Sequence, residues 1–185
     1  MKTEQEIAQS VAAGDAKAIK ELYDRTVGYM TSVATRYLGE SDYVSDVLQD
    51  AYIYIISHIG KFEYRGEGSL QAWMSRIVAN KAIDHMKDEA KHERLFVAQD
   101  PPDLPDDDCD ADFDNVPIDA IHCMIQSLPP GYRMVFNLYV FEGCSHSEIA
   151  KRLGIKERTS ASQLLRAKRL LAKQITEYKQ LIYHL

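Results

Sequence analysis

The chain has 185 residues, of which 45% are hydrophobic and 27% charged, with a formal net charge of −6. That composition suits a globular protein and excludes a fully disordered one, and the length suits one domain of about 150 residues or two of roughly 70–80. The purest apolar run, Ala51 to Ile56, is six residues long, against the ~18 of a membrane span, and MKTEQEIAQS has no apolar centre to act as a signal peptide. A cytoplasmic protein without membrane insertion is expected.

The first part of the chain reads as helices. Ile19, Leu22, Tyr23, Thr26, Met30, Val33, Ala34, Tyr37 and Leu38 recur at three- and four-residue steps, the period of one buried helix face. Gly39 follows where a left-handed C-cap belongs. Ser41 caps a second helix with Val44, Val47, Leu48, Ala51, Tyr52, Ile55 and Ile59 inward. Its centre, AYIYII, has the composition of a strand, but the flanking 3.6-residue period and the length decide for helix. Gly60 ends it, and the loop KFEYRGEGS leads to Ser69, the expected cap of a third helix with Leu70, Trp73, Met74, Ile77, Val78 and Ala82 on its apolar side. The polar side of that helix aligns Arg76, Asn80, Asp84, Lys87 and Lys91 in one stripe. Such stripes are ordinarily solvated faces. Asn80 is out of place mid-helix because its amide competes with the backbone, and the preceding loop interleaves Phe62, Tyr64 and Arg65 with two glycines. Together they suit phosphate contacts, an amide for an unpaired base edge, and a loop that stacks on a base.

Residues 100–119, DPPDLPDDDCDADFDNVPID, hold nine Asp, four Pro and no Lys or Arg. Removing the nine from the 28 acidic residues leaves 19 against 22 basic ones, so the rest of the chain carries +3 and is compatible with a nucleic-acid partner. Residues 99–117 are too polar to bury a core and read as a linker between domains at 1–98 and 118–185. The alternation Asp108, Asp110, Asp112, Asp114 superficially resembles a calcium loop, but Phe113 stands where the turn needs Gly, and Asp119 where the bidentate Glu belongs. The three cysteines, Cys109, Cys123 and Cys144, have no CxxC spacing, and neither Cys123 with His122 nor Cys144 with His146 has a zinc-ligand gap. Reduced thiols and no cofactor or metal are expected.

In the second part, Ser145 and Glu148 form a capping box ahead of a short helix through Ile149, Ala150 and Leu153. Gly154 makes a turn, Ile155 packs behind it, and a further helix runs from about Glu157 past Leu171, with Leu164, Ala167, Leu170 and Leu171 inward and Arg158, Arg166, Lys168, Arg169 and Lys173 outward. Helix, glycine turn and cationic second helix are the parts of a helix-turn-helix. The bland alternative is a helical hairpin with a charged, solvated side.

Both halves resemble an extracytoplasmic-function (ECF) sigma factor of bacterial RNA polymerase. The wording of sigma region two is found in AGDAKAIKELYDRTVGYMTSVATRYLG, SDVLQDAYIYI and KFEYRGEGSLQAWMSRIVANKAIDHMK, and that of region four in SLPPGYRMVFNLYVFEGCSHSEIAKRLGI and TSASQLLRAKRLL, over about residues 13–175. The resemblance implies an all-α protein of two small helical domains, region two as a three- or four-helix bundle and region four as a helix-turn-helix. It implies a dissociable polymerase subunit that reads a −35 duplex and melts and captures the −10 element, with core RNA polymerase, promoter DNA and an anti-sigma factor, membrane-bound or not, as partners. Asp46, Leu48, Gln49, Asp50 and Tyr52 fall on the family's core-binding helix. Residues 61–69, with Phe62, Tyr64 and Arg65, fall on the loop that takes a flipped −10 base, and Trp73, Arg76, Asn80, Lys81 and Asp84 on the helix beside it. Ser162 and Arg166 match −35-contacting positions, and Arg158, Gln163 and Arg169 join them on the cationic helix. Where the family often has Gly-Thr-Val-Lys-Ser-Arg, this chain has Arg158 to Gln163, with a cation gained at 158 and one lost at 161. The acidic stretch takes the place of the linker that the family threads through the polymerase cleft. No regulatory domain is expected beyond region four.

A free-standing helix-turn-helix regulator is the alternative; it would bind duplex tightly without polymerase, which a mildly basic remainder and an acidic linker disfavour. A carboxylate nuclease built on Glu63, Asp84 or the Asp cluster needs ligands fixed around paired metal ions, which a linker does not supply, and no glycine-rich phosphate loop or nucleophile elbow is present. An enzyme is not expected.

Overall fold

The computed structural model describes residues 2–39, 41–93 and 116–183. Among them there are eight α-helices and no strand, and the chain divides into two compact units, Met1–Met86 and Lys87–Leu185. The expected linker, residues 99–117, lies outside the described residues except for Val116 and Pro117, as do the aspartates of the calcium-like alternation.

Unit one holds α1 (Glu4–Ala12), α2 (Ala16–Leu38), α3 (Tyr43–His58), a 3-10 turn (Ile59–Lys61) and the greater part of α4 (Ser69–Glu93). Helix α1 has no counterpart among the sequence expectations. It starts at a capping box in which the Glu6 amide donates to Thr3 Oγ1 (3.2 Å) and the Thr3 amide donates to Glu6 Oε2 (2.8 Å). It buries Ile7, Ala8 and Val11 against α2, α3 and the 3-10 turn. Helix α2 ends at Gly39, whose φ of 72° and ψ of −161° are not those of a left-handed cap; positive φ is glycine's province all the same. AYIYII is helical, with Ala51, Tyr52 and Ile55 buried. The N-cap of α3 is Asp42, which makes no side-chain cap bond, and not the expected Ser41 one place before it; the Ser41 Oγ still accepts from the Tyr43 amide at 3.2 Å.

Unit two includes α5 (Ile118–Ser127), α6 (Pro130–Val140), α7 (His146–Leu153) and α8 (Glu157–Tyr183). Proline opens α6 at a position where a missing N–H costs nothing, and Gly131 to Leu138 are buried. Helix α8 is the spine: α5, α6 and α7 all pack on it. Arg133, buried within α6, donates to the Gln126 carbonyl at the end of α5; burial pushes its guanidinium below the ordinary value. Asn137, wholly buried, donates to the Arg133 carbonyl at 2.9 Å.

Candidate nucleic-acid interface

In unit two, α7 and α8 form the expected helix-turn-helix. The Glu148 amide donates to Ser145 Oγ (3.3 Å) and the Ser145 amide to Glu148 Oε2 (2.8 Å). The backbone bond from Ser145, then its hydroxyl, hold the Glu148 carboxyl below the ordinary range. Gly154 takes the left-handed conformation (φ 68°, ψ 31°), and the Ile155 amide returns to the Ala150 carbonyl at 3.1 Å. His146 sets the start of α7 against α8: its Nδ1 lies 3.0 Å from Oγ of the fully buried Ser160, and its ring stacks on Tyr139 at 4.9 Å between centroids. This His is a structural pivot. Its neighbour Cys144 instead receives a hydrogen bond from Arg152, at 3.6 Å. Among the described residues no three His, Cys, Asp or Glu are grouped to hold a metal ion.

The face that α8 turns to solvent differs from expectation. Arg158 and Ser162 are exposed, while Arg166 and Arg169 are half-buried. Gln163 is 4% exposed, and its amide lies 3.3 Å from where a Cβ on Gly131 would stand. It fills the α6–α8 seam with Ser160, Leu164, Ala167 and Leu171 and is removed from the exposed reading face. The helical step explains this: 160, 164, 167 and 171 define the inward stripe, and 163 falls beside it. Leu165, at 50% exposure, takes a place among the cations instead, at the three-residue step from Ser162 that keeps it on their side. Its displacement from the 164–167–171 register is the sequence signal that could have found it. An exposed apolar side chain there is suited to a thymine methyl.

In unit one, the loop before α4 is held at both ends. Phe62 packs on Trp73, with ring centroids 5.6 Å apart, and both are half-buried; they root the loop. Tyr64 and Arg65 are exposed, and Arg65 pairs with Glu63 at 3.1 Å in solvent. Gly66 and Gly68 have φ of 118° and 84°, which favours glycine at both turns. Ser69 does not cap α4. Its Oγ donates to the Gly66 carbonyl (2.6 Å) and accepts from the Arg65 amide (3.3 Å), so it shapes the loop. Arg76, Asn80 and Asp84 are exposed along α4, while Lys81 leans towards α3, its Nζ 5.8 Å from the Tyr54 ring centroid.

On α3, Asp46, Gln49 and Asp50 are exposed and Leu48 half-buried. Tyr52 is 6% exposed. Its hydroxyl lies 2.8 Å from that of Thr26, whose own proton goes to the Leu22 carbonyl, so Tyr52 is the donor. Burial raises the Tyr52 pKa above its ordinary value. This side chain is core and does not present itself on the surface. Ile53, 57% exposed, instead continues the acidic stripe, an apolar side chain among carboxylates that the sequence reading did not single out.

The fold and the two exposed faces define a two-unit, helix-turn-helix DNA-binding protein. Two family models match it in order: sigma-70 region 2 over residues 22–92 and sigma-70, region 4 over residues 118–171. Its relatives include the ECF RNA polymerase sigma-E factor of Haemophilus influenzae, 25% identical with 94% of this chain and 95% of that one covered. The RNA polymerase sigma-H factor of Pseudomonas aeruginosa is also 25% identical, with 93% of each chain covered. A chain in the solved structure of CnrH in complex with the cytosolic domain of CnrY is similar at 21% identity and TM-score 0.46, with 92% of this chain and 96% of that one covered. The chain belongs to the sigma-70 family, as an ECF RNA polymerase sigma factor. It is a promoter-directing factor of transcription initiation that works with core RNA polymerase on promoter DNA.

Proposed function

We propose that the two units divide promoter reading between them. The exposed stripe of α3, with Asp46, Gln49 and Asp50, engages core polymerase. Tyr64 and Arg65 enclose an extruded −10 base, and Arg76, Asn80 and Asp84 line the path of the opened strand. Helix α8 reads the −35 duplex through Arg158, Ser162 and Arg166, with Arg169 at the margin. The acidic stretch of residues 100–119 occupies the polymerase cleft, an anti-sigma factor holds the free protein in check, and the protein has no catalysis of its own and works in the cytoplasm.

The observation that carries this reading is that Asn80 on α4 and the loop residues Tyr64 and Arg65 are all exposed in the first unit. A free-standing duplex regulator needs the second unit only and gives that arrangement nothing to do. The test is a pair of alanine variants on duplex and pre-melted templates. Asn80→Ala leaves closed-complex binding intact but reduces strand opening, because its base becomes available only after extrusion. Arg166→Ala weakens initial duplex binding, by about 1–3 kcal/mol for a base-edge contact, and that defect persists on a pre-melted bubble. Permanganate footprinting of unpaired thymines, alongside binding, separates the two. Full opening by the Asn80 variant removes this helix face from the −10 role.

A further inference from the structure

We propose that Glu4 is a positioning residue for the −10 loop, acting from α1 on the first turn of α4; the proposal rests on the loop reading above. Glu4 Oε2 accepts the Leu70 amide at 3.1 Å, across 66 residues of sequence. The start of α4 needs such an acceptor. The first amides of a helix have no partner within it, α4 has no acidic residue in its own first turn, and Ser69 has turned its hydroxyl back to Gly66 and Arg65. Glu4 supplies the missing cap from another helix. Its carboxylate also lies in the first turn of α1, so the N-terminal ends of two helices favour the same charge.

The remaining contacts of α1 complete the device. Helix α1 packs on the 3-10 turn that enters the loop, while Glu4 grips the α4 turn that leaves it. One short helix therefore holds both ends of residues 62–68. It is in turn fastened to α2: Arg25 Nη1 donates to the Lys2 carbonyl at 2.9 Å and pairs with Glu21. Residues 4–12 lie upstream of the segment matched by the region 2 model. This assigns α1 a task in promoter opening: fixing the geometry in which Tyr64 and Arg65 meet the extruded base.

The experiment uses the full chain, free and in holoenzyme, on a promoter obtained by selection, with variants Glu4→Ala, Glu4→Gln and Tyr64→Ala/Arg65→Ala. Glu4→Ala is expected to speed hydrogen exchange at the Leu70 amide and through residues 62–70. It should lower the open-complex fraction about five- to thirtyfold, the effect of losing one or two kcal/mol, with core affinity and closed-complex binding unchanged. Glu4→Gln keeps an acceptor oxygen and should restore most of both. Faster exchange throughout α1–α3 with loss of core binding would mean that Glu4 only stabilises the fold, and overturns the proposal. Normal opening by Glu4→Ala with a defective Tyr64/Arg65 variant overturns it while leaving the loop reading in place. Normal opening by the Tyr64/Arg65 variant overturns the loop reading and the proposal with it.

Discussion

Asp50 sits on the exposed stripe of α3 with Asp46 and Gln49, and Ile53 prolongs it. Carboxylates around one exposed apolar side chain form a patch that suits a basic protein surface better than DNA. Asp50→Lys is expected to abolish co-purification with core polymerase while leaving the fold intact, since surface substitutions away from special features cost about 0.5 kcal/mol or less. Circular dichroism checks the fold, and normal co-purification would remove Asp50 from the interface. At this scale spacing alone carried much of the reading. Asn80, Arg76 and Asp84 are exposed as their stripe implied and Tyr52 is buried as the period of α3 implied, against the interface position that the resemblance gave it, whereas Gln163, next to the exposed Ser162, points into its core. One residue along a helix rotates a side chain by about 100°, so a motif does not fix the facing of each of its members.

Capping decides where the short elements stand. Helix α7 has eight residues, too few to persist without its ends satisfied and its apolar face packed. Because the Glu148 pKa is lowered in the fold, first through the Ser145 amide and then its hydroxyl, its contribution is fully present above the unfolded glutamate value and lost as the pH falls through the folded one. Glu148→Gln, which keeps an acceptor but cannot titrate, should therefore flatten the acid limb of α7's hydrogen-exchange protection. An unchanged limb would mean that the box does not couple to pH. The helix-turn-helix was legible because its cap, its glycine and its buried face are all local in sequence. Helix α1 is equally local, with Thr3, Glu6, Ile7, Ala8 and Val11 at the right spacing, but its nine residues carry too few turns for the helical period to stand out from the polar segment around them. The cap of α4 was not legible at all: nothing near Ser69 announces an acceptor 66 residues away, and only the packing of α1 brings Glu4 there.

Across the whole molecule the charge is partitioned, nine aspartates between residues 100 and 119 and a net +3 elsewhere. Most of these carboxylates fall in the sequence between the region 2 and region 4 matches, residues 22–92 and 118–171, and carboxylates close to DNA-contacting segments oppose phosphate and reduce the counterion release that drives binding. The free chain should therefore bind promoter duplex poorly, and core polymerase should restore binding by sequestering the acidic stretch. Neutralising the Asp run to Asn should strengthen binding by the free chain; a gel-shift titration checks this, and tight, specific binding by the unaltered free chain would contradict it. The division of labour between the units, and the requirement for polymerase, meet in one measurement: transcription in vitro on a promoter library with purified core enzyme, with and without this chain. Initiation at a discrete promoter class only when both are present is the expected result. Specific duplex binding by the chain alone at physiological salt, with no specific initiation when core is added, would contradict the account.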